Sequence, residues 1–310
     1  MGLGVVFSGQ GSPRVGMLSG AKGRLSVVGE AFTEASDALG YDLWTLVSDG
    51  PEAKLNLTEF TQPAILTASV ALYRAFSECH NCVPLAGAGH SLGEYSALVA
   101  AGVLSLGDGA SLVSKRGAAM QEAVPVGEGA MAVVLGLEDA AVTQICSEIS
   151  VPDAFVGGVN FNAPGQVVIA GAAEAVDRAV AALKEAGARR AMPLPVSAPF
   201  HTPLMKPAAE VMAEAFETVA WSAPSFPVVS NVDGALQSSA DAIKASLVDQ
   251  ISSQVLWTAC INNLKNEGCE QFIECGPGNV LSGLSKRIDK ALPIKSIETV
   301  DAIEGGLPSA

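Results

Sequence analysis

Ser91 stands in the run Gly89-His90-Ser91-Leu92-Gly93, a glycine-x-serine-x-glycine spacing. An apolar segment ending in glycines, Val83 to Gly89, precedes it, and a segment of helical periodicity, Leu92 to Ala101, follows it. A nucleophilic serine needs that order. A tight strand-to-helix turn lifts the hydroxyl above the end of a sheet, and the two glycines omit side chains that would strike the adjoining strand and helix. The helix behind the turn aims backbone N–H groups and a positive dipole end at a developing oxyanion. The Leu92 N–H is therefore expected to form half of an oxyanion hole. A glycine-flanked serine can also be only a helix cap, so the pentapeptide does not decide the matter alone.

A hydroxyl nucleophile needs a base, usually a histidine. The chain has three histidines. His90 adjoins Ser91, and neighbouring side chains at a strand end project in different directions, so it reads as a supporting or packing residue. His80 lies in Cys79-His80-Asn81-Cys82, at the far end of the preceding helix. His201, in the extended and proline-constrained loop Pro199-Phe200-His201-Thr202-Pro203, remains as the base by elimination. No aspartate stands where it would mark itself as a third member, and a backbone carbonyl can orient an imidazole as well as a carboxylate can.

The elements that must hold these residues alternate. Leu3 to Phe7 is a buried strand closed by the glycine-rich loop Ser8-Gly9-Gln10-Gly11-Ser12. Helices are expected over Ala64–Phe76, Leu92–Ala101 and Ser111–Ala123, the last carrying Arg116. From Ala130 to Val196 the order becomes strand, helix, strand, strand, helix, strand, that of a ferredoxin-like split unit. Strand–helix alternation then resumes, with strands at Val228–Ser230 and Gln271–Glu274 and helices over Thr202–Val219, Asp241–Gln250, Thr258–Gly268 and Val280–Leu292. The fold expected is α/β: an α/β-hydrolase-like core with a mostly parallel sheet, interrupted by a ferredoxin-like (βαββαβ) subdomain. Proline- and glycine-rich edges place the insertion at residues 127–197, between a first part of the large domain at 1–126 and a second at 198–310.

Bulk properties remove several classes. Apolar residues make up 49% of the 310 and charged residues 16%, the composition of a chain with a sizeable core rather than a disordered one. No apolar run is long enough to span a bilayer, and no charged segment leads into an apolar one at the N-terminus. A net charge of −14 argues against nucleic acid and anionic membranes as partners. The six cysteines are scattered, and the pair Cys79/Cys82 lacks a second pair at zinc-ligand spacing. Reduced thiols, a cytoplasmic location, a monomer and the absence of any metal are the expectations.

Taken together these runs resemble the malonyl-CoA:acyl-carrier-protein transacylase family of fatty acid synthesis. The likeness covers nearly the whole chain: Phe7 to Ser12, Thr61-Gln62-Pro63-Ala64, Gly89 to Leu98, Arg116 to Gln121, Asn160 to Gln166, Phe200-His201, Asn231-Val232-Asp233 and Gly276-Pro277-Gly278. It implies that Ser91 takes the malonyl group from malonyl-CoA, that His201 is the base, and that the Gln10 backbone N–H completes the oxyanion hole with Leu92. It implies that Gln250 marks the main-chain carbonyl orienting the histidine. Gln62, His90, Asn160, Asn162 and Phe200 are carried over as surrounding residues, Phe200 matching the malonyl-selecting form of its loop. Arg116 is the most discriminating: on its residues alone it could be a solvated helix position beside Lys115, but a planar guanidinium suits the free carboxylate of malonyl. Pro13 stands where many members of the family have a glutamine or another polar residue, and it removes a possible N–H donor.

The resemblance implies a second substrate, an acyl carrier protein, and no tightly bound cofactor beyond the CoA thioester that reacts. Carrier proteins of this kind are acidic, so an acidic enzyme needs a local basic patch. Lys184, Arg189 and Arg190 on the insertion and Lys286, Arg287 and Lys290 near the C-terminus are the candidates. A serine esterase on the same core remains a rival; it predicts hydrolysis of simple esters and no role for Arg116. Methylmalonyl as acyl group, and polyketide rather than fatty acid synthesis, also stay open.

Overall fold

The computed structural model describes residues 2–11, 13–196 and 198–307. Ser12, which closes the first glycine-rich run, and Met1, Ser197 and residues 308–310, at the ends of the expected domain spans, lie outside the described residues. Among those described, the strands in chain order are β1 (Gly2–Phe7), β2 (Ala86–Gly89), β3 (Gly129–Leu135), β4 (Val156–Ala163), β5 (Gln166–Ala172), β6 (Arg190–Pro193), β7 (Val228–Val229), β8 (Leu236–Gln237), β9 (Cys269–Cys275) and β10 (Ile294–Ser296).

The first sheet runs β10-β9-β1-β2-β7-β8 and is parallel except for β8. Its centre reads as an unbroken apolar run because both faces are covered. Val5 and Phe7 point into one core, with Leu72 and Leu98, while Val6 points into the other, with Trp257 and Ile261. Strand order departs in opposite directions from β1, and open α/β sheets bind ligands at the carboxyl ends of strands beside such a point. Phe7 is registered opposite Gly89, so the Gln10 loop and the Ser91 turn leave the sheet side by side.

The second sheet, β4-β5-β3-β6, is antiparallel. Helices Asp139–Ile149 and Ala173–Glu185 complete the ferredoxin-like order. One face packs on those helices through Val134, Val167 and Ile169, while Met131, Val159 and Val168 on the other meet Phe200. β4 is tied to the rest of the molecule by backbone bonds: Val255 donates to Val159 at 2.8 Å and Phe161 donates to Val255 at 2.9 Å.

Several helices are longer or shorter than expected. The first long helix beside the site begins at Thr58 instead of Ala64 and runs to His80 with Pro63 inside. Proline cannot bond the carbonyl four residues back; that carbonyl, of Glu59, accepts the Ser114 hydroxyl at 3.1 Å from the neighbouring helix. That neighbour spans Leu106–Glu122, five residues longer at its start than expected, and is capped by Ser105, whose side chain accepts from Asp108 N–H. Its Gly117 lies so close to the first helix that a Cβ there would stand 2.5 Å from the Thr58 carbonyl. After His201 a 3₁₀ turn at Pro203–Met205 delays the expected helix to Lys206–Phe216, and the last expected helix ends at Ile288.

Candidate active site

The turn at Ser91 has the strain its glycines imply. Ser91 has φ 52° and ψ −109°, a region that ordinary residues occupy only when their surroundings hold them there. A Cβ on Gly89 would lie 1.8 Å from the Gly93 carbonyl oxygen, and one on Gly93 would lie 2.2 Å from that of Phe7. The turn is clamped from across the molecule by Asn231, just after β7. Its Oδ1 accepts from Ser91 N–H at 2.6 Å and its Nδ2 donates to the Gly89 carbonyl at 2.7 Å. The Ser91 N–H is thereby occupied.

Leu92 opens the helix Leu92–Ala100, where an N–H has no intrahelical acceptor. Gln10 is exposed on the loop after β1. Among the described residues neither N–H is engaged by a backbone carbonyl. Gly9 presses this loop onto the serine turn: a Cβ there would lie 2.5 Å from the His90 carbonyl. Pro13, further along the loop, is buried.

The Ser91 hydroxyl is 2.8 Å from His201 Nε2, and His201 Nδ1 is 2.9 Å from the main-chain oxygen of Gln250. Nδ1–H donating to that carbonyl leaves Nε2 free to accept the serine proton. His201 is not in extended backbone; φ is 63°, so its ring is delivered by a strained turn. Burial first, and then the charge of Arg116, lower its pKa to about 3, leaving the ring neutral.

Arg116 is buried. One of its terminal nitrogens, NH2, donates to Ser91 Oγ at 3.1 Å and to Gln250 Oε1 at 3.0 Å, and the other, NH1, donates to Gln62 Oε1 at 3.0 Å. The guanidinium lies 5.5 Å from the centre of the Tyr95 ring. Among the described residues no carboxylate forms an ion pair with it. The close helix contact at Gly117 brings Arg116 within reach of Gln62. Beneath the turn, Glu94 is also buried. Its Oε2 accepts from Asn231 N–H at 3.0 Å and from Gln250 Nε2 at 2.8 Å. Burial pushes its carboxyl up to about 7, against the opposing pull of those hydrogen bonds and of Arg116.

The remaining sequence candidates line the small-sheet side. His90 Nε2 donates to Asn162 Oδ1 at 2.7 Å and its ring lies 5.5 Å from that of Trp257, a packing arrangement turned away from base duty. Asn160, beside a β-bulge, buries an Oδ1 that has no partner among the described residues. Phe200 is half-buried, packed against the core that holds Val5 and Phe7 and against the small-sheet face of Met131, Val159 and Val168. His80 is remote, its Nε2 at 2.6 Å from the Ile303 carbonyl. The six cysteines are free, and among the described residues no group of three His, Cys, Asp or Glu could hold a metal ion. No helix among them is long and apolar enough to cross a membrane.

Ser91, His201, Arg116, Gln62 and Gln250 are thus brought into one hydrogen-bonded cluster. Asn231 and Glu94 belong to it as well, although the sequence assigned them no role. Their only signal in the sequence is that both lie inside family-like runs, Gly89 to Leu98 and Asn231-Val232-Asp233.

Known proteins resemble the chain over nearly its whole length. The profile of the acyl transferase domain family matches residues 5–304. The malonyl CoA-acyl carrier protein transacylase of Escherichia coli K12 is 51% identical over 302 residues, 97% of each chain. The crystal structure of an acyl carrier protein S-malonyltransferase from Vibrio cholerae O1 superposes with a TM-score of 0.96 at 48% identity, covering 98% of this chain and 99% of that one. A malonyl-transacylase solved in complex with its holo type II PKS acyl-carrier protein superposes with a TM-score of 0.95, also at 48% identity, covering 98% of each.

Proposed function

The chain belongs to the malonyl-CoA–acyl carrier protein transacylases of the acyl transferase family, and from that premise we propose that it carries malonyl from CoA to a carrier-protein thiol through an ester on Ser91. The observation that carries the reading is Arg116. A buried guanidinium with neutral partners, 3.1 Å from the serine oxygen, is costly to maintain unless an anionic group completes it. Malonyl brings a carboxylate a short distance from its reacting carbonyl; a simple ester does not.

His201 Nε2 takes the Ser91 proton as Oγ forms a bond to the thioester carbon. The oxyanion that results is held by the Leu92 and Gln10 N–H groups; removing one such donor costs roughly 3–4 kcal/mol of barrier lowering. The C–S bond breaks and CoA leaves as the thiol, protonated by His201. The phosphopantetheine thiol of the carrier then gives its proton to His201 and attacks the ester, and Ser91 leaves with that proton. Ping-pong kinetics follow from this sequence.

The charge difficulty has a local answer. The basic candidates on the insertion and near the C-terminus are all exposed. Arg190 is registered opposite Leu135, which is opposite Gln166, and Gln166 Oε1 accepts from Arg287 at 2.6 Å. Arg190 and Arg287 therefore flank one end of the small sheet, a strip suited to an acidic carrier despite the overall charge. Transfer is tested by incubating the protein with malonyl-CoA and holo carrier protein and weighing the carrier. A malonyl increment on the carrier is expected; release of free malonate with no increment, or brisk hydrolysis of simple esters, would favour the esterase.

A further inference from the structure

Resting on the malonyl reading, we infer that Glu94 is a positioning residue for Arg116, acting through the side-chain amide of Gln250. Gln250 is the node of the site. Its main-chain oxygen orients His201, its Oε1 accepts from Arg116, and its Nε2 donates to the Ser91 carbonyl at 3.0 Å as well as to Glu94. An amide has one accepting and one donating end. If Gln250 were reversed, its NH₂ would face the Arg116 guanidinium, donor against donor. Arg116 would then lose one of the two acceptors that hold its NH2 nitrogen beside the serine.

Glu94 selects the working orientation. Its Oε2 is itself fixed by the Asn231 backbone N–H, and an oxygen held there accepts from Gln250 Nε2 but cannot donate to Oε1. The carboxylate sits in the first turn of the helix that follows Ser91, where the helix dipole favours it. One buried acceptor thus links the serine helix, the Asn231 clamp and the helix Ala240–Ser252 that carries Gln250. Glu94 touches no reacting atom, and among the described residues it makes no direct ion pair with Arg116.

Two conservative variants separate reach from charge. Glu94→Gln loses the charge but keeps an oxygen at the same place, because the Asn231 N–H turns the new amide's oxygen toward itself. Glu94→Asp keeps the charge but withdraws the oxygen by one methylene. The readout is the ratio of kcat/KM for malonyl-CoA to that for acetyl-CoA, with KM and kcat resolved and folding checked by cooperative thermal unfolding. Glu94→Asp is expected to lower the ratio at least about ten-fold, mainly through a raised malonyl-CoA KM, while Glu94→Gln stays within about three-fold of the parent, the size expected for one hydrogen bond to a charged group. Any other pattern overturns the inference: a larger loss in Glu94→Gln, equal losses, or no loss in either. A parent enzyme with no preference for malonyl would instead sink the malonyl reading itself, so the two failures are distinguishable.

Discussion

Replacing Arg116 by alanine removes the buried cation that donates to Ser91 Oγ. Against malonyl-CoA the variant forfeits two charge-assisted hydrogen bonds to the acyl carboxylate, each worth about 1.5–3 kcal/mol. A total of about 3–6 kcal/mol is roughly a 10²–10⁴-fold loss in kcat/KM. Acetyl-CoA, which has no carboxylate, suffers only the collateral damage. Gln62 Oε1 and Gln250 Oε1 lose their donor, and a space opens beside Tyr95. That damage is common to both substrates and cancels in the ratio of malonyl to acetyl kcat/KM. The assay is steady-state transfer to holo carrier protein from each donor at matched pH and salt. The ratio is expected to collapse by at least about a hundred-fold, the lower end of the two-bond estimate. An unchanged ratio, with both substrates falling equally, would refute the carboxylate-binding role.

Asn231→Ala strands the half-buried Ser91 N–H and the buried Gly89 carbonyl. At about 1–3 kcal/mol for each unpaired group, it should lower stability in denaturant titration by about 2–6 kcal/mol and reduce kcat by loosening the turn; an unchanged midpoint would remove the clamp. The pKa of His201 is lowered, to about 3, so the ring stays neutral well below its ordinary value and kcat/KM should show no acid limb near pH 6.5 from this residue. The same sign means that its contribution to stability is complete above about pH 6.5 and lost as the pH falls toward 3. Glu94, whose carboxyl is raised to about 7, acts through an accepting oxygen that either protonation state supplies, so its titration should change kcat/KM by no more than about three-fold; a steep limb near pH 6.5 would contradict the His201 assignment. Charge reversal of Arg190 and Arg287 together should raise the carrier-protein KM and flatten its salt dependence while sparing kcat; no change in either places docking elsewhere.

How much of this was legible in the sequence depends on the range of the interaction. The serine turn is local, and Gly89, Ser91 and Gly93 carry its requirements in five residues. His201 followed from elimination among three histidines. Arg116 became informative only through resemblance, because nothing in Lys115-Arg116 shows that Gly117 buries the helix against its neighbour. Asn231 and Glu94 act across the molecule, separated by 137 residues along the chain, and their residue types alone fit a turn and a solvated helix equally well. The helix beginning at Thr58 is longer than the apolar face Ala64–Phe76 alone indicates, since Pro63 favours a helix start locally; the acceptor left free by the proline is satisfied by Ser114, which only the fold supplies. The helix Leu106–Glu122 starts before its apparent beginning because Gly107 and Gly109 weaken the local signal. Gly109 is set by packing: a Cβ there would lie 2.6 Å from Val99.

The account turns on Ser91 becoming an ester in the absence of any carrier. Incubation with isotopically labelled malonyl-CoA alone, followed by acid quench, proteolysis and peptide mapping, reads this directly. One malonyl increment on the peptide containing Ser91, absent in Ser91→Ala and released by holo carrier protein, is the predicted result. A malonyl label on another residue, or transfer to the carrier that survives the loss of Ser91, would contradict it.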